Sequence, residues 1–130
     1  MVPRSSENEA ARTAWLLAAD LAEEASQGAV FLRIYDTPGK VGRGSDARTA
    51  LARKVACYLA VTVADCQPAA LARAANLNRK TVHSHLQDVE DMRDEPGMDR
   101  LLDDLRERMI RRACSLVMAS LGGVEMGVAA

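Results

Sequence analysis

Apolar residues recur at helical spacing in several stretches of this chain, and the pattern predicts an all-α fold, a small helical bundle. The first predicted helix spans 6–27; Trp15 is its only large apolar anchor, and Gly28 ends it. A second predicted helix begins at Ser45 or Asp46, either of which can cap it, and it runs to about position 64. Both patterns are typical of helices that pack on one face.

The last apolar pattern predicts a long helix that begins at position 98 or 99 and ends at Gly122-Gly123. Its polar side offers an ion pair between Asp104 and Arg108, one helical turn apart. The residues at 122–130 carry no clear pattern, and we expect a flexible tail there. The predicted apolar side of this helix consists of Leu101, Leu102, Leu105, Met109, Ala113, Leu116 and Val117.

Residues 67–89 are predicted to form two short helices joined by a tight turn, the arrangement of a helix-turn-helix. The small residues Ala72 and Ala75 allow the second helix to cross the first closely. Asn76 falls at the turn, because Asn tolerates a left-handed conformation better than other non-glycine residues. The side-chain oxygen of Asn78 can cap the second helix. The predicted buried stripe of that helix consists of Val82, Leu86 and Val89.

The remaining positions of the second helix define a polar face that no carboxylate interrupts before Asp88. Its side chains combine an Arg suited to guanine, amides suited to adenine, a Thr methyl suited to thymine, and positive charge suited to phosphates. The face therefore predicts reading of base edges in the major groove of double-stranded DNA. A solvated face of an ordinary helical bundle is the alternative. The predicted base-reading residues are Asn78, Arg79, Lys80, Thr81, His83, Ser84 and Gln87.

Composition favours helices over sheets, because only 3% of the residues are aromatic and the 48% that are hydrophobic are dominated by Ala and Leu. The net charge of −1 does not indicate a nucleic-acid partner, but its distribution does. Residues 40–85 contain eight basic and two acidic side chains, a balance of +6, so the flanks carry −7. A basic centre is expected where one face meets phosphates. The predicted DNA-backbone contacts are Lys40, Arg43, Arg48, Arg53, Lys54 and Arg73.

Two connecting segments separate the first two predicted helices. Residues 29–35 have branched and aromatic content but no partner strand, so we expect an extended or short helical link. Residues 36–39 have turn chemistry, and residues 40–45 form a basic loop. Two interpretations of this loop remain open: it follows the DNA backbone or enters the minor groove with Arg43, or it is a solvated connector.

The sequence offers little for catalysis or metal binding. His83 and His85 are two residues apart and therefore lie on different sides of a helix. The three cysteines match no zinc spacing, and we expect reduced structural residues in a cytosolic protein. No enzyme activity, cofactor or metal ion is expected. Without a signal peptide or an apolar run of membrane-spanning length, we expect a soluble, cytoplasmic, nucleoid-associated protein with no membrane partner.

From Ala52 onward, ARKVACYLA and then LARAANLNRKTVHSHLQDVEDMRDEPGMDRLLDDLRERM resemble the C-terminal DNA-binding domain of DnaA, the bacterial chromosomal replication initiator. The resemblance covers roughly residues 45–110, about half of the chain. It implies a Trp-repressor-like fold in which a basic loop precedes the helix-turn-helix, and it places Arg79, Lys80 and Thr81 where that family reads bases. This chain departs from the family's Asp-His-Thr-Thr-Val run with Asn78-Arg79-Lys80-Thr81-Val82 and one residue fewer in the turn.

The role implied by the resemblance is regulation rather than initiation. No GxxxxGK[ST] sequence for nucleotide binding occurs. DnaA-like domains are also found in alphaproteobacterial and phage-derived transcriptional regulators, including activators of gene transfer agents, and such a role would add RNA polymerase or another regulator as a partner. The implied organisation is an N-terminal helix and linker at 1–39, a DnaA-like domain at 40–121, and the tail at 122–130.

Two other functions remain open. One is a detached initiator-type domain that binds replication-origin DNA. The other is a helical protein-interaction module that docks through the C-terminal or the N-terminal helix. Apolar residues of the last helix could then form a homodimer seam instead of lining the core of a monomer. The residues of that seam would be Leu101, Leu105, Met109 and Leu116.

Overall fold

The computed structural model describes residues 4–30, 32 and 47–129 of the chain, and within these ranges it describes side chains from residue 8 to residue 119. The backbone of the described residues forms α-helices and no strand, which confirms the all-α prediction. No described helix combines the length and the apolar character needed to cross a membrane. The helices are α1 (Arg4–Ala25), α2 (Ala47–Thr62), α3 (Pro68–Ala74), α4 (Arg79–Met92) and α5 (Pro96–Ala129).

The core lies where α1 packs along α2, and the other three helices close around this pair. Both helices contribute alanines to the core, and these small residues allow the two backbones to approach closely. Trp15 is buried as predicted, but Leu21 of α1 and Leu59 of α2 are buried as fully. In the link that follows α1, Val30 and Leu32 also enter the core, in neither helix nor strand.

The end of α1 follows the predicted glycine signal. Gln27 and Gly28 have φ angles of 57° and 83°, in the left-handed region that breaks a helix. The Ser26 hydroxyl donates a hydrogen bond to the Glu23 carbonyl at 2.6 Å and accepts one from the Val30 amide at 3.3 Å. These bonds turn the chain back toward the core.

The connection between α3 and α4 has the local structure that the sequence predicts. Asn76 has a φ of 54°, the left-handed conformation expected of the turn. The Leu77 amide donates a hydrogen bond to the Ala72 carbonyl at 2.8 Å, and Asn78 Oδ1 accepts one from the Lys80 amide at the same distance. The predicted stripe of α4 is buried at Val82 and Val89 and partly buried at Leu86.

The end of α4 is fixed to α2 and α5 by a polar network around Arg93. The Tyr58 hydroxyl donates a hydrogen bond to Glu90 Oε1 at 2.7 Å and accepts one from Arg93 Nε at 2.9 Å. Arg93 Nη1 reaches Asp99 at 2.5 Å and Asp103 at 3.3 Å. Because these side chains belong to three different segments, the network sets the angle at which α5 leaves α4.

Both predicted ends of the last helix were wrong. It begins at Pro96, because the Glu95 carboxylate accepts hydrogen bonds from the Gly97 and Met98 amides at 3.1 and 2.7 Å and so caps the helix. It continues to Ala129 through Gly122-Gly123, so the backbone expected to be a flexible tail is helical to 129. Glycine costs about 1 kcal/mol per residue within a helix, which weakens the helix without ending it.

The predicted apolar side of α5 does not form one surface. Leu102, Leu105 and Met109 are buried in the core, whereas Leu101, Ala113, Leu116 and Val117 are exposed. The predicted dimer seam is therefore wrong, because two of its four residues face the interior of their own chain. The predicted Asp104–Arg108 ion pair is confirmed at 3.0 Å.

Candidate nucleic-acid interface

The N-terminal half of α4 presents its polar side chains to solvent. Six of the seven predicted base-reading residues are exposed, and Thr81 is half-buried. The amphipathic spacing of α4 causes this, since Val82 and Val89 hold the opposite face against the core. The Asn78 oxygen is occupied by the cap that it forms on the Lys80 amide, so only its amide NH₂ remains to contact a ligand.

Three side chains of this face are free of protein partners. The structure places no hydrogen bond or ion pair between the side chain of Arg79, Lys80 or His83 and any other group that it describes. These residues occupy the first two turns of α4, where the backbone amides at the helix N-terminus add positive potential. The arrangement suits an anionic ligand.

The acidic residues that follow are engaged by the protein. Asp88 forms an ion pair with Lys54 of α2 at 2.9 Å, and Glu90 accepts the hydrogen bond from Tyr58. Asp91 accepts a hydrogen bond from Gln87 Nε2 at 3.0 Å. Lys54 therefore offsets the first carboxylate of α4, whereas Gln87, like Asn78, is a predicted base-reading residue whose side chain already has a partner.

A basic cluster lies between α2 and α4. His85 is half-buried, and burial first, then Lys54 and Arg53, lower its pKa. His85 Nδ1 and Arg53 Nη2 are both buried without a hydrogen-bond partner in the part of the chain described. Arg53 was predicted to project toward phosphates, but it is half-buried and burial lowers its pKa.

The other predicted backbone contacts are dispersed. Arg48 lines a groove formed with the end of α1 and the start of α5, on a different side of α2 from Lys54. Arg73 is exposed at the end of α3, where its Nε donates a hydrogen bond to Asn8 Oδ1 at 3.1 Å. The predictions for Lys40 and Arg43 fall outside the described residues.

Sequence reasoning assigned no DNA contact to Arg12, because it treated α1 mainly as a packing helix. Arg12 is exposed, and its Nη1 donates a hydrogen bond to the Ala74 carbonyl at 3.5 Å. This contact places a second guanidinium beside Arg73 and the turn that leads into α4. In the sequence, the one indication of this position of Arg12 is the polar face of α1, where Arg12 follows Asn8 by one turn.

The cysteines differ in environment. Cys57 is buried, and burial raises the pKa of its thiol to about 12, whereas Cys114 is exposed on α5. All three are free thiols. Among the residues described, no three His, Cys, Asp or Glu side chains lie together in a way that could hold a metal ion.

Comparisons of this chain with protein-family models, with curated proteins and with solved structures find no match.

Proposed function

We propose that this protein binds specific sequences of double-stranded DNA and acts as a transcriptional regulator of the activator type. In this proposal α3 and α4 form a DnaA-like, Trp-repressor-like helix-turn-helix, and the first two turns of α4 enter the major groove. RNA polymerase or another regulator would be its protein partner, and it would act in the cytoplasm at the nucleoid.

The observation that carries the proposal is the row of exposed, unpartnered basic and polar side chains on the first two turns of α4. No carboxylate occurs between positions 78 and 87. A solvated helix face ordinarily carries ion pairs one turn apart, as α5 does between Asp104 and Arg108. The absence of such pairs from Arg79 and Lys80, in the described part of the protein, favours a ligand over solvent.

Each side chain suits a distinct contact. Arg79 can donate two hydrogen bonds to the O6 and N7 atoms of guanine, and the Thr81 methyl can contact thymine. Lys80 and His83 can reach phosphates or bases, and Ser84 lies one turn further along the helix. Arg73 would contact the backbone beside the turn.

A selection of bound duplexes from a random pool is the first experiment, because it tests binding and returns the site. With the selected duplex, we expect Arg79→Ala to cost about 1–3 kcal/mol of binding free energy and to relax the preference at one base pair. Lys80→Ala should weaken binding to all sequences alike and reduce the salt slope by about 1.

Arg100→Ala is the matched control, since Arg100 is an exposed arginine on α5, away from the α4 face. It should leave the affinity unchanged. If the wild-type protein enriches no duplex and binds none at about 50 mM salt, the proposal fails. A detached initiator-type domain would use the same surface, and the selected sequence distinguishes it: enrichment of the initiator's own DNA box would favour that alternative.

A further inference from the structure

The N-terminal part of α1 contacts the last turn of α3, just before the turn that leads into α4. Two side-chain hydrogen bonds join the two helices there. Arg12 Nη1 donates to the Ala74 carbonyl at 3.5 Å, and Arg73 Nε donates to Asn8 Oδ1 at 3.1 Å. Asn8 and Arg12 are one turn apart on α1, so the first bond helps to hold Asn8 beside Arg73.

Asn8 contacts the guanidinium of Arg73 through Nε alone. The Arg73 side chain is exposed, and neither of its Nη atoms makes a hydrogen bond or ion pair with any group that the structure describes. A guanidinium held at Nε keeps all the N–H donors of its two Nη atoms. Two of these donors match two oxygens of one phosphate in the bidentate geometry that arginine favours. Asn8 therefore orients Arg73 without using the donors that a phosphate needs.

Arg73 lies close to the start of the helix that carries the candidate DNA-binding face. The Leu77 amide donates to the Ala72 carbonyl at 2.8 Å and closes the turn. With standard backbone dimensions, this bond keeps the Cα atoms of Arg73 and Asn78 within about 11 Å of each other. The major groove of DNA is about 12 Å wide. With the first turns of α4 in the groove, Arg73 would be within reach of the strand that borders it.

The charges of this region suit a phosphate. Arg73 is the only charged residue at positions 66–78, and no carboxylate occurs from 66 to 87. On α1, exposed Arg12 lies one turn after exposed Glu9 and offsets its charge. The alternative is that Arg73 only stabilises the C-terminal end of α3, where a cation is favourable. Such a charge needs no fixed orientation, whereas a bidentate phosphate contact does.

We propose that Asn8 orients Arg73 to hold one phosphate of the DNA strand that borders the groove, which makes α1 part of the DNA-binding site. Asn8 is a positioning residue, because it acts through Arg73 and not by contact with DNA. The inference rests on the proposed DNA-binding function. It extends the binding surface from the helix-turn-helix to the N-terminal helix.

A double-mutant cycle on the full chain tests the proposal, in anisotropy titrations with the selected duplex at several salt concentrations. Arg73→Ala should weaken binding about tenfold for all sequences alike and reduce the salt slope by about 1. Asn8→Ala should weaken binding about threefold, but it should have no further effect in the Arg73→Ala background. Thr13→Ala is the matched control and should leave the affinity unchanged, since exposed Thr13 of α1 lines grooves shared with α5.

Asn8→Asp separates the orientation of Arg73 from the stability of the fold. An aspartate keeps an acceptor for Arg73 Nε and adds an ion pair, so the free energy of unfolding in urea should not fall. Its charge neutralises Arg73 beside the phosphate, so this variant should bind DNA more weakly than Asn8→Ala does. Thr13→Asp adds the same charge to α1 away from Arg73 and should weaken binding less.

The outcomes distinguish this inference from the proposed function. If the wild-type protein binds the duplex and Arg79→Ala relaxes its base preference, but Arg73→Ala or Asn8→Ala leaves the affinity unchanged, the inference is overturned and the proposed function stands. Additive effects in the double variant would show that Asn8 does not act through Arg73, and they too would overturn the inference. If the wild-type protein binds no duplex, both fail.

Discussion

The two ends of α4 differ in how they use their polar side chains. At the C-terminal end, Asp88, Glu90 and Arg93 are all held by α2 or α5. At the N-terminal end, the side chains of Arg79 and Lys80 make no hydrogen bond or ion pair with any described group of the protein. The C-terminal end of α4 is therefore anchored to the rest of the protein, whereas its N-terminal end exposes unpartnered side chains. The two ends are separated by about two turns.

This difference indicates how the chain positions its candidate DNA-binding face. Side chains that contact a ligand act best when the element that carries them is rigid, and the anchored end of α4 supplies that rigidity. Val82 and Val89 fix the rotation of the helix about its axis, since both are fully buried. The comparison predicts that substitutions at the anchored end affect folding, whereas those of the unpartnered side chains Arg79 and Lys80 affect binding.

The largest expected effect on stability comes from Arg93→Ala. This change removes the hydrogen bonds to Tyr58 and to the carboxylates of Asp99 and Asp103. Hydrogen bonds to charged groups contribute about 1.5–3 kcal/mol each, and we expect a total loss in this range because Arg93 lies near the surface. Urea unfolding of this variant should show the loss. Surface substitutions usually change the free energy of unfolding by less than about 0.5 kcal/mol, and a change that small would contradict the claim that Arg93 anchors the end of α4.

The next effect belongs to the N-cap of the exposed end. Asn78→Ala should cost about 1 kcal/mol of unfolding free energy, because the Lys80 amide loses the oxygen that caps it. Asn78→Ser should retain most of the stability, since a serine hydroxyl can cap the same amide. If both variants unfold at the urea concentration of the wild type, the cap does not hold this end of α4.

A smaller effect is expected where the two ends meet. Lys54→Ala should cost about 0.2–1 kcal/mol, as a partly exposed ion pair does. It should also weaken DNA binding, because Asp88 would then face the phosphates without its neutralising partner. Lys54→Arg keeps the charge and serves as the control in anisotropy titrations. If Lys54→Ala binds DNA with unchanged affinity, Asp88 does not lie at the DNA interface.

The smallest predicted effect depends on pH. Burial, Lys54 and Arg53 lower the pKa of His85 in the folded chain, whereas the unfolded chain keeps a value of about 6.5. The unfolded state therefore binds more protons as pH falls below about 6.5, and the folded state loses stability. His85→Gln should reduce this loss between about pH 7 and pH 5.5, measured by unfolding at each pH. An equal slope in both proteins would contradict the prediction.

The elements that sequence reasoning predicted well are those fixed by local chemistry. Asn76 at the turn and Asn78 at the cap depend on backbone preferences that act within a few residues. The all-α class followed from helical periodicity. These features can be predicted without knowing which helices pack against each other across the core.

The predictions that failed required knowledge of tertiary placement. Whether an apolar residue is buried depends on how far α1 and α2 extend beside it. The periodic side of α5 therefore did not show that Met109 is the last buried residue among the side chains described for this helix. The DNA-backbone contacts stay predictions, but a basic residue count could not separate Arg53, which is half-buried against α4, from Arg48, which faces another groove. The positive charge balance of residues 40–85 is therefore a property of the sequence, and it does not define one positively charged surface.

The central claim is that the first two turns of α4 contact DNA, and an NMR titration with the selected duplex tests it most directly. Backbone amide signals at 78–84 should shift most, with changes at residues 88–93 smaller and those at 96–109 near zero. If the duplex leaves 78–84 unchanged, or shifts residues on another face more strongly, the claim is contradicted.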